Sequence, residues 1–408
     1  MLLYDHSKPR VKYCLTNMAT IILFFLSSLS AALTKSPELV KPIEVLRVTN
    51  LDADGPGSLR RAIDAPTPRL VVFEVGGVID LRGASLVVRH PQLTIAGQTA
   101  PDPGITLIRG GLVVETHDVV VQHIAVRPGD GARGAPDALG AHRGSAGPVY
   151  NVLFDHCSAT WGIDENLSVG GPADAEPDAT AHGVTLRRCL IAEGLSHANH
   201  PKGEHSKGTL IHDGIRDVTI TGCLFAHNRE RNPRLKGGTR TIVAGNVMYN
   251  WGSACIGVGA GGNKRMLEPA EAVVVGNVAI AGPDTRGKVF VKSVDPGARV
   301  FLKGNVTSLP LADAGVVQLT APPPWSRVPD ARADLDGVLR DAGARPARRD
   351  PIDARIVQSV IRGDGRIIDS QEEVGGYPVR PATTRALTVP DGADARRQWL
   401  DKLAAEVE

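Results

Sequence analysis

From about residue 70 to residue 306 the chain repeats one short pattern: about four apolar residues, a small or polar residue, then a second apolar stretch. It reads D-V-V-V-Q-H-I-A-V at 118–126, N-V-L-F-D-H-C-S-A at 151–159, G-V-T-L-R-R-C-L-I-A at 183–192, D-V-T-I-T-G-C-L-F-A at 217–226 and T-I-V-A-G-N-V-M-Y at 241–249. One position keeps the register: Cys157, Cys189, Cys223, Asn246, Asn277 and Asn305, at steps of 32, 34, 23, 31 and 28 residues. Self-similarity at such a period marks a solenoid. The runs are short and β-branched, with almost no helical period between them. That predicts an all-β right-handed parallel β-helix rather than βαβ units.

A coil of this kind cannot bury its inner face alone, so coils stack about 4.8 Å apart and like residues lie over like. The Asn positions are then expected to form a buried ladder, each amide satisfied by the coils above and below. The three Cys extend the ladder as small buried thiols, reduced rather than paired. The segment 58–64, S-L-R-R-A-I-D, predicts a short amphipathic helix closing the N-terminal end. Beyond about 307 the pattern fades. A-P-P-P-W at 321–325 reads as a linker or as chain wrapped on the outside, and 353–361 as a helix against the solenoid. The expected organisation is a signal peptide at 1–32, a β-helix domain at 33–320, and a C-terminal extension at 321–408 packed on the solenoid.

Composition narrows the partners. The 408 residues carry a formal charge of +2, with 46 basic and 44 acidic residues. Removing residues 1–32, which hold three basic residues and one acid, leaves 43 against 43. The body is neutral, so attraction for a polyanion must be local. With aromatics at 4%, this argues against a nucleic-acid binder. At the N-terminus Lys8, Arg10 and Lys12 precede an apolar run from Ala19 to Leu33, and Ser30-Ala31-Ala32 offers small residues for cleavage. A run of about fifteen residues falls short of a membrane span of roughly 20. The expectation is a secreted protein without stable membrane association.

Charge is concentrated at 229–240, R-E-R-N-P-R-L-K-G-G-T-R, where five basic residues meet one acid. A cationic loop between two strands suits a carboxylate-rich polymer, since Arg forks onto carboxylates at two points. Carboxylates recur on neighbouring coils at Asp130, Asp137, Asp155, Asp164 and Glu165. Each alone reads as a turn residue. Held together they repel, and a divalent cation relieves that. Oxygen ligands in irregular loops favour calcium or magnesium. His197, His200, His205 and His212 cluster, but without the paired short steps of structural zinc sites. They read as a loop lining a cleft. Trp161 reads as packed beside the acidic turn.

With these residues in view, the chain resembles the pectate lyases of polysaccharide lyase family 1. N-V-L-F-D-H-C is similar to that family's strand ending in Asp-His, and R-N-P-R-L-K to its Arg-x-Pro-x-x-Arg signature, with Lys236 in the last position. V-T-N-L-D-A-D-G-P-G-S-L-R-R-A-I, L-T-I-A-G-Q-T-A-P and R-I-I-D-S-Q-E-E-V-G-G-Y-P are similar to a bacterial-type branch. The resemblance spans roughly residues 46–378. It implies Arg231 as catalytic base, Asp137 and Asp164 as calcium ligands, and Lys207, Lys236 and Arg234 as substrate-binding residues. Two acids of the family pattern are replaced here, by Ala135 and Thr160; Glu165 and Asp130 are the candidates to compensate. The implied reaction is calcium-assisted β-elimination on α-1,4-polygalacturonate by a monomer.

Free Arg has a pKa above 12, so a base role needs surroundings that favour its neutral form. The basic cluster offers such surroundings, and Lys207 is the alternative base. Two rival readings are a pectin-active glycoside hydrolase and a non-catalytic carbohydrate-binding solenoid. The hydrolase needs a pair of catalytic carboxylates, and the paired Asp with Gly-His-Gly of polygalacturonases is missing. The fold alone does not exclude the binding solenoid.

Overall fold

Each short apolar run becomes a strand by pairing with the equivalent strand one coil on. The computed structural model describes residues 43–145, 147–259 and 268–408. These residues fall within one compact unit, Leu39–Glu408. The expected signal peptide at 1–32 lies outside them. Among the described residues the strands form three sheets of eleven, eight and ten strands. All pairings are parallel except that of Thr383–Thr384 with Val75 and Gly76. This is the parallel β-helix that the repeat predicts. In the eleven-stranded sheet Val152, Val184, Val218, Thr241, Ala272 and Val300 lie in one row across six coils. All six are buried, so every coil closes the core of the next.

The ladder forms where the repeat places it. The Cys223 amide donates to Asn246 Oδ1 at 2.9 Å, the Asn246 amide to Asn277 Oδ1 at 2.9 Å, and the Asn277 amide to Asn305 Oδ1 at 3.0 Å. Asn277 Nδ2 also donates to Asn305 Oδ1 and to the Val243 carbonyl. Cys157, Cys189, Cys223 and Cys255 are free and buried. Burial pushes the Cys157, Cys223 and Cys255 thiols above their ordinary range, which makes them inert packing groups. Asn277→Ala strands the buried amide of Asn246 and opens a small void, so we expect a loss of about 3 kcal/mol in urea unfolding. Asn305→Ala, at the half-buried end of the ladder, should cost about 1 kcal/mol. Equal small losses at both positions would mean that the ladder does not carry the stacking.

Four helices decorate the solenoid among the described residues: α1 (Leu59–Ile63), α2 (Leu335–Asp341), α3 (Pro351–Arg362) and α4 (Ala393–Ala405). Ser58 caps α1 by accepting from the Arg61 amide, and Leu59, Ala62 and Ile63 point into the core. Asp350 caps α3, Pro351 opens it, and Gly363 ends it at φ 73°, the left-handed geometry that suits glycine. The apolar face of α3 (Ile352, Ile356, Val357 and Val360) packs on Leu190, Leu224, Val247 and Tyr249 of the ten-stranded sheet. The buried Arg127 pairs with Asp350 and Asp353, both at 2.7 Å. The helix expected at 353–361 is therefore present and lies on the solenoid. The A-P-P-P-W stretch wraps outside the eleven-stranded sheet, where Trp325 packs near Ala244, Val273 and Val275 and donates to Glu271 at 2.7 Å. No described helix is long and apolar enough to cross a membrane.

Candidate active site

The eight-stranded sheet carries the chemistry. Its strands Leu139–His142, Glu165–Gly170, Lys207–Ile211 and Arg234–Leu235 lie side by side in that order. Leu139 aligns with Leu167, Glu165 with Lys207, and Leu210 with Arg234. Residues from distant parts of the sequence therefore reach the same face. Asp137 precedes the first strand, Asp164 precedes the second, and Arg231 precedes the fourth.

Oxygens of Asp137, Asp164 and Glu165 come within 4.8 Å of one another. Asp137 Oδ1 accepts the Glu165 amide at 2.9 Å, and its other oxygen accepts from the Ser168 hydroxyl. Arg231 forms an ion pair with Glu165, so the acidic group and the cationic ridge touch. Asp164, Glu165, Arg231, Arg234 and Lys236 line one groove of about 400 Å³. Arg231 has φ 65°, a left-handed backbone that is uncommon for a residue with a side chain. The next side chain is locked in place: Asn232 Oδ1 accepts from Asn228 Nδ2 at 3.0 Å, and Asn228 in turn accepts from Asn166 at 2.9 Å.

Electrostatics differ in one respect from the sequence expectation. The ridge is not bare cation. Lys207 pairs with Glu230, Lys236 with Asp213, and Arg229 with Glu204, while Arg234 lies 3.8 Å from Asp295. Burial pulls the Arg231 guanidinium below its ordinary value, while Asp164 and Asp137 pull the other way. Desolvation, not the neighbouring cations, is thus what favours the neutral form. Burial also opposes ionisation of Asp164. The hydrogen bond from His205, with His200 and Arg231 nearby, outweighs it and holds that carboxyl below its usual range.

Lys207 is buried against Glu230 and does not line the groove. Asp155 lies on the eleven-stranded sheet, where it binds Arg187 at 2.7 and 2.8 Å. Asp130 accepts from Ser370 and Gln371, and Ala135 and Thr160 bring no acid to the site. Of the two replacements considered for the lost acids, only Glu165 reaches the group with Asp137 and Asp164. Trp161 is fully buried and donates to Glu193 at 3.1 Å, as a packed residue should.

The sequence places His200 and His205 only in a loop lining a cleft. Both are buried and stacked, with ring centroids 3.6 Å apart, and both face Asp164 Oδ1, at 3.5 and 2.7 Å. Their spacing of five residues carried no signal, because the loop that folds them together has no regular period.

His212, also in the groove, is held down to about 4 by burial and then by His142 and Lys236, against Asp137 and Asp213. The folded state resists the proton that the unfolded chain binds below about 6.5. Stability tied to His212 is therefore complete above that pH and is lost as pH falls toward 4. The full loss is on the order of 3 kcal/mol. His212→Gln should flatten the fall in urea midpoint between pH 7 and pH 4; a slope equal to that of the unaltered chain would remove His212 from the acid response.

The chain is similar over most of its length to known proteins. It is 32% identical over 377 residues to the probable pectate lyase C of Aspergillus flavus, covering 86% of this chain and 82% of that one. It is 31% identical over 355 residues to the probable pectate lyase C of Emericella nidulans, covering 82% of this chain and 75% of that one. A pectate lyase from Bacillus sp. N165, solved in complex with trigalacturonate, superposes with a TM-score of 0.51. That match covers 76% of this chain and 97% of the other at 14% identity, and supports the fold alone. No protein-family model matches the chain. The class is that of the β-helical polysaccharide lyases, enzymes that open a carbon–oxygen bond of a sugar polymer. Within it, the chain belongs to the pectate lyase family.

Proposed function

We propose that the protein cleaves α-1,4-polygalacturonate by β-elimination, with Arg231 as the base and a calcium ion held by Asp137, Asp164 and Glu165. The observation that carries this reading is the contact of two opposite charge sets in one groove: acids within 4.8 Å of one another on one coil pair, and Arg231, Arg234 and Lys236 on the next. An all-oxygen donor set suits a hard cation such as calcium. When bound, the ion supplies positive charge that neutralises the uronate carboxylate and the enolate-like charge developing from it. Arg234 and Lys236 grip carboxylates of the polymer, and so orient the sugar at the groove floor. Burial lowers the cost of the neutral guanidine, so Arg231 takes the proton α to the carboxylate. The electron pair of that C–H bond becomes the new C4–C5 double bond, and the glycosidic oxygen leaves. Lys207, out of the groove, supports the ridge through Glu230.

Action as a monomer belongs to this reading. Secretion is part of the same reading and rests on the basic and apolar pattern of residues 8–33. The test is incubation with polygalacturonate, with and without a calcium chelator, followed by near-ultraviolet absorbance. A signal that the chelator removes is the expected result. Reducing ends without absorbance would mean hydrolysis, and neither product would mean a binding protein.

A further inference from the structure

A second cluster lies away from the groove, at the turn between the eleven- and ten-stranded sheets. His123 and His156 occupy the same turn position on successive coils, both in left-handed backbone, at φ 55° and 47°. Their rings stack with centroids 5.0 Å apart and planes 7° from parallel. Both are buried, at 0% and 1% exposure. Just beyond α4, Glu408 reaches over them. Its Oε1 lies 3.6 Å from His123 Nε2 and 3.4 Å from His156 Nδ1.

This arrangement is short of hydrogen. His123 Nδ1 lies 2.8 Å from the Ala344 carbonyl, which can only accept, so the ring proton sits on Nδ1. Nε2 is left as a bare lone pair aimed at a carboxylate oxygen, with no hydrogen-bond partner. His156 Nε2 has no hydrogen-bond partner, and Nδ1 faces Asp155 Oδ1 at 3.1 Å. Asp155 keeps lone pairs beyond its two bonds from Arg187, so without a metal the His156 proton belongs on Nδ1, facing Asp155, and only His123 Nε2 is left bare. A second proton on His123 would put charge on a ring with no solvent exposure, stacked on another buried imidazole. A neutral imidazole oriented through its other nitrogen by a backbone carbonyl is the state in which histidine binds a metal.

We propose that His123 Nε2, His156 Nδ1 and Glu408 Oε1 form a binding site for a borderline divalent metal of the zinc type, distinct from the calcium group. The three ligand atoms lie within 4.8 Å of one another. Zinc bonds to nitrogen and carboxylate oxygen place tetrahedral ligands roughly 3.2–3.6 Å apart, and the two contacts of Glu408 match that span. Imidazole nitrogens select zinc, cobalt, nickel or copper over calcium, which takes oxygens. Metal binding moves the His156 proton to Nε2 and gives the bare lone pair of His123 Nε2 a partner. Arg188 lies 3.8 Å from Glu408 Oε2 and competes for the other oxygen only. The site has a structural role. It ties two coils to the segment after α4, which is otherwise held here by the buried Val407, the bond from the Ala347 amide to the Val407 carbonyl at 3.0 Å and the Arg188 pair with Glu408.

The test uses the full chain, stripped of metal with a chelator and returned to chelator-free buffer. Cobalt(II) alone should produce a visible d–d absorption band of tetrahedral intensity, and zinc should displace it. Zinc should also raise the melting temperature. Glu408→Gln, at a half-exposed position, should fold normally, weaken cobalt binding at least tenfold and lose the zinc-dependent rise in melting temperature. His156→Gln should do the same, with folding checked by circular dichroism. Cleavage of polygalacturonate by Glu408→Gln should be unchanged. Asp164→Asn serves as the control for the Asp164, His200 and His205 group in the groove, and should leave the band intact. No band in the unaltered chain, or a band that survives Glu408→Gln at full affinity, overturns the proposal.

Discussion

Arg231→Ala should reduce the formation of unsaturated products from polygalacturonate by roughly 10²–10⁴-fold, the span that a positioned proton-transfer group supplies. The variant should keep its far-ultraviolet circular dichroism, with some loss of stability because the buried Glu165 is left without its partner. The Arg231 side chain lines a groove and contributes nothing to the inner ladder. Ala removes both the base and the partner of Glu165. Arg231→Lys keeps a charge for Glu165 but draws the proton-accepting atom back from the groove, so it should restore the ion pair without restoring the rate. Lys207 provides the contrast. It lies behind the ridge against Glu230, so Lys207→Met should raise KM or lower stability and leave most of kcat. If Lys207→Met abolished turnover while Arg231→Ala kept it, the two residues would exchange roles.

Asp164→Asn should raise the calcium concentration needed for half-maximal activity by at least tenfold and cut the rate at low calcium by about 10²-fold. Asp164 is the hub of the acidic side: it shares the group with Asp137 and Glu165 and also receives His205 and His200. An amide keeps the shape, but loses the charge that a bound cation requires. The same substitution should remove the rise in melting temperature that calcium gives the unaltered chain, because a ligand stabilises only the state that binds it. Titrating calcium against both melting temperature and product formation checks the two effects together. An unchanged calcium requirement would take Asp164 out of the ion site.

Much of the solenoid could be read from one column of residues. Cys157 through Asn305 mark the inner turn because a buried amide must be satisfied by its equivalents on neighbouring coils, and the structure satisfies Asn246 and Asn277 in that way. The charge pairs across the ridge were legible too, though less directly. Lys207 with Glu230 and Asp213 with Lys236 are each 23 residues apart, the same step as Cys223 to Asn246. Applied to charged residues, the coil period predicts both pairs and replaces a bare cationic loop with a neutralised one. The meeting of His200 and His205 with Asp164 was not legible. They sit on an irregular excursion, 194–206, where no period relates sequence to space. The His123, His156 and Glu408 cluster was hidden for a related reason: its third member comes from beyond the repeat.

The coil from Cys223 to Asn246 is the shortest interval of the ladder, at 23 residues against 28 to 34 for the others. It has three strands and almost no chain to spare, and Arg231 sits on it with Asn232 pinned beneath. Lengthening or shortening this turn would shift the base out of line with every coil below it. The adjoining turns, which carry the excursions at 171–181 and 194–206, can change length without disturbing the stack. Adaptation to a different polymer, with other substituents or another sugar spacing, would therefore fall to those outer loops, while the proton-abstracting turn stays the fixed ruler against which they are cut.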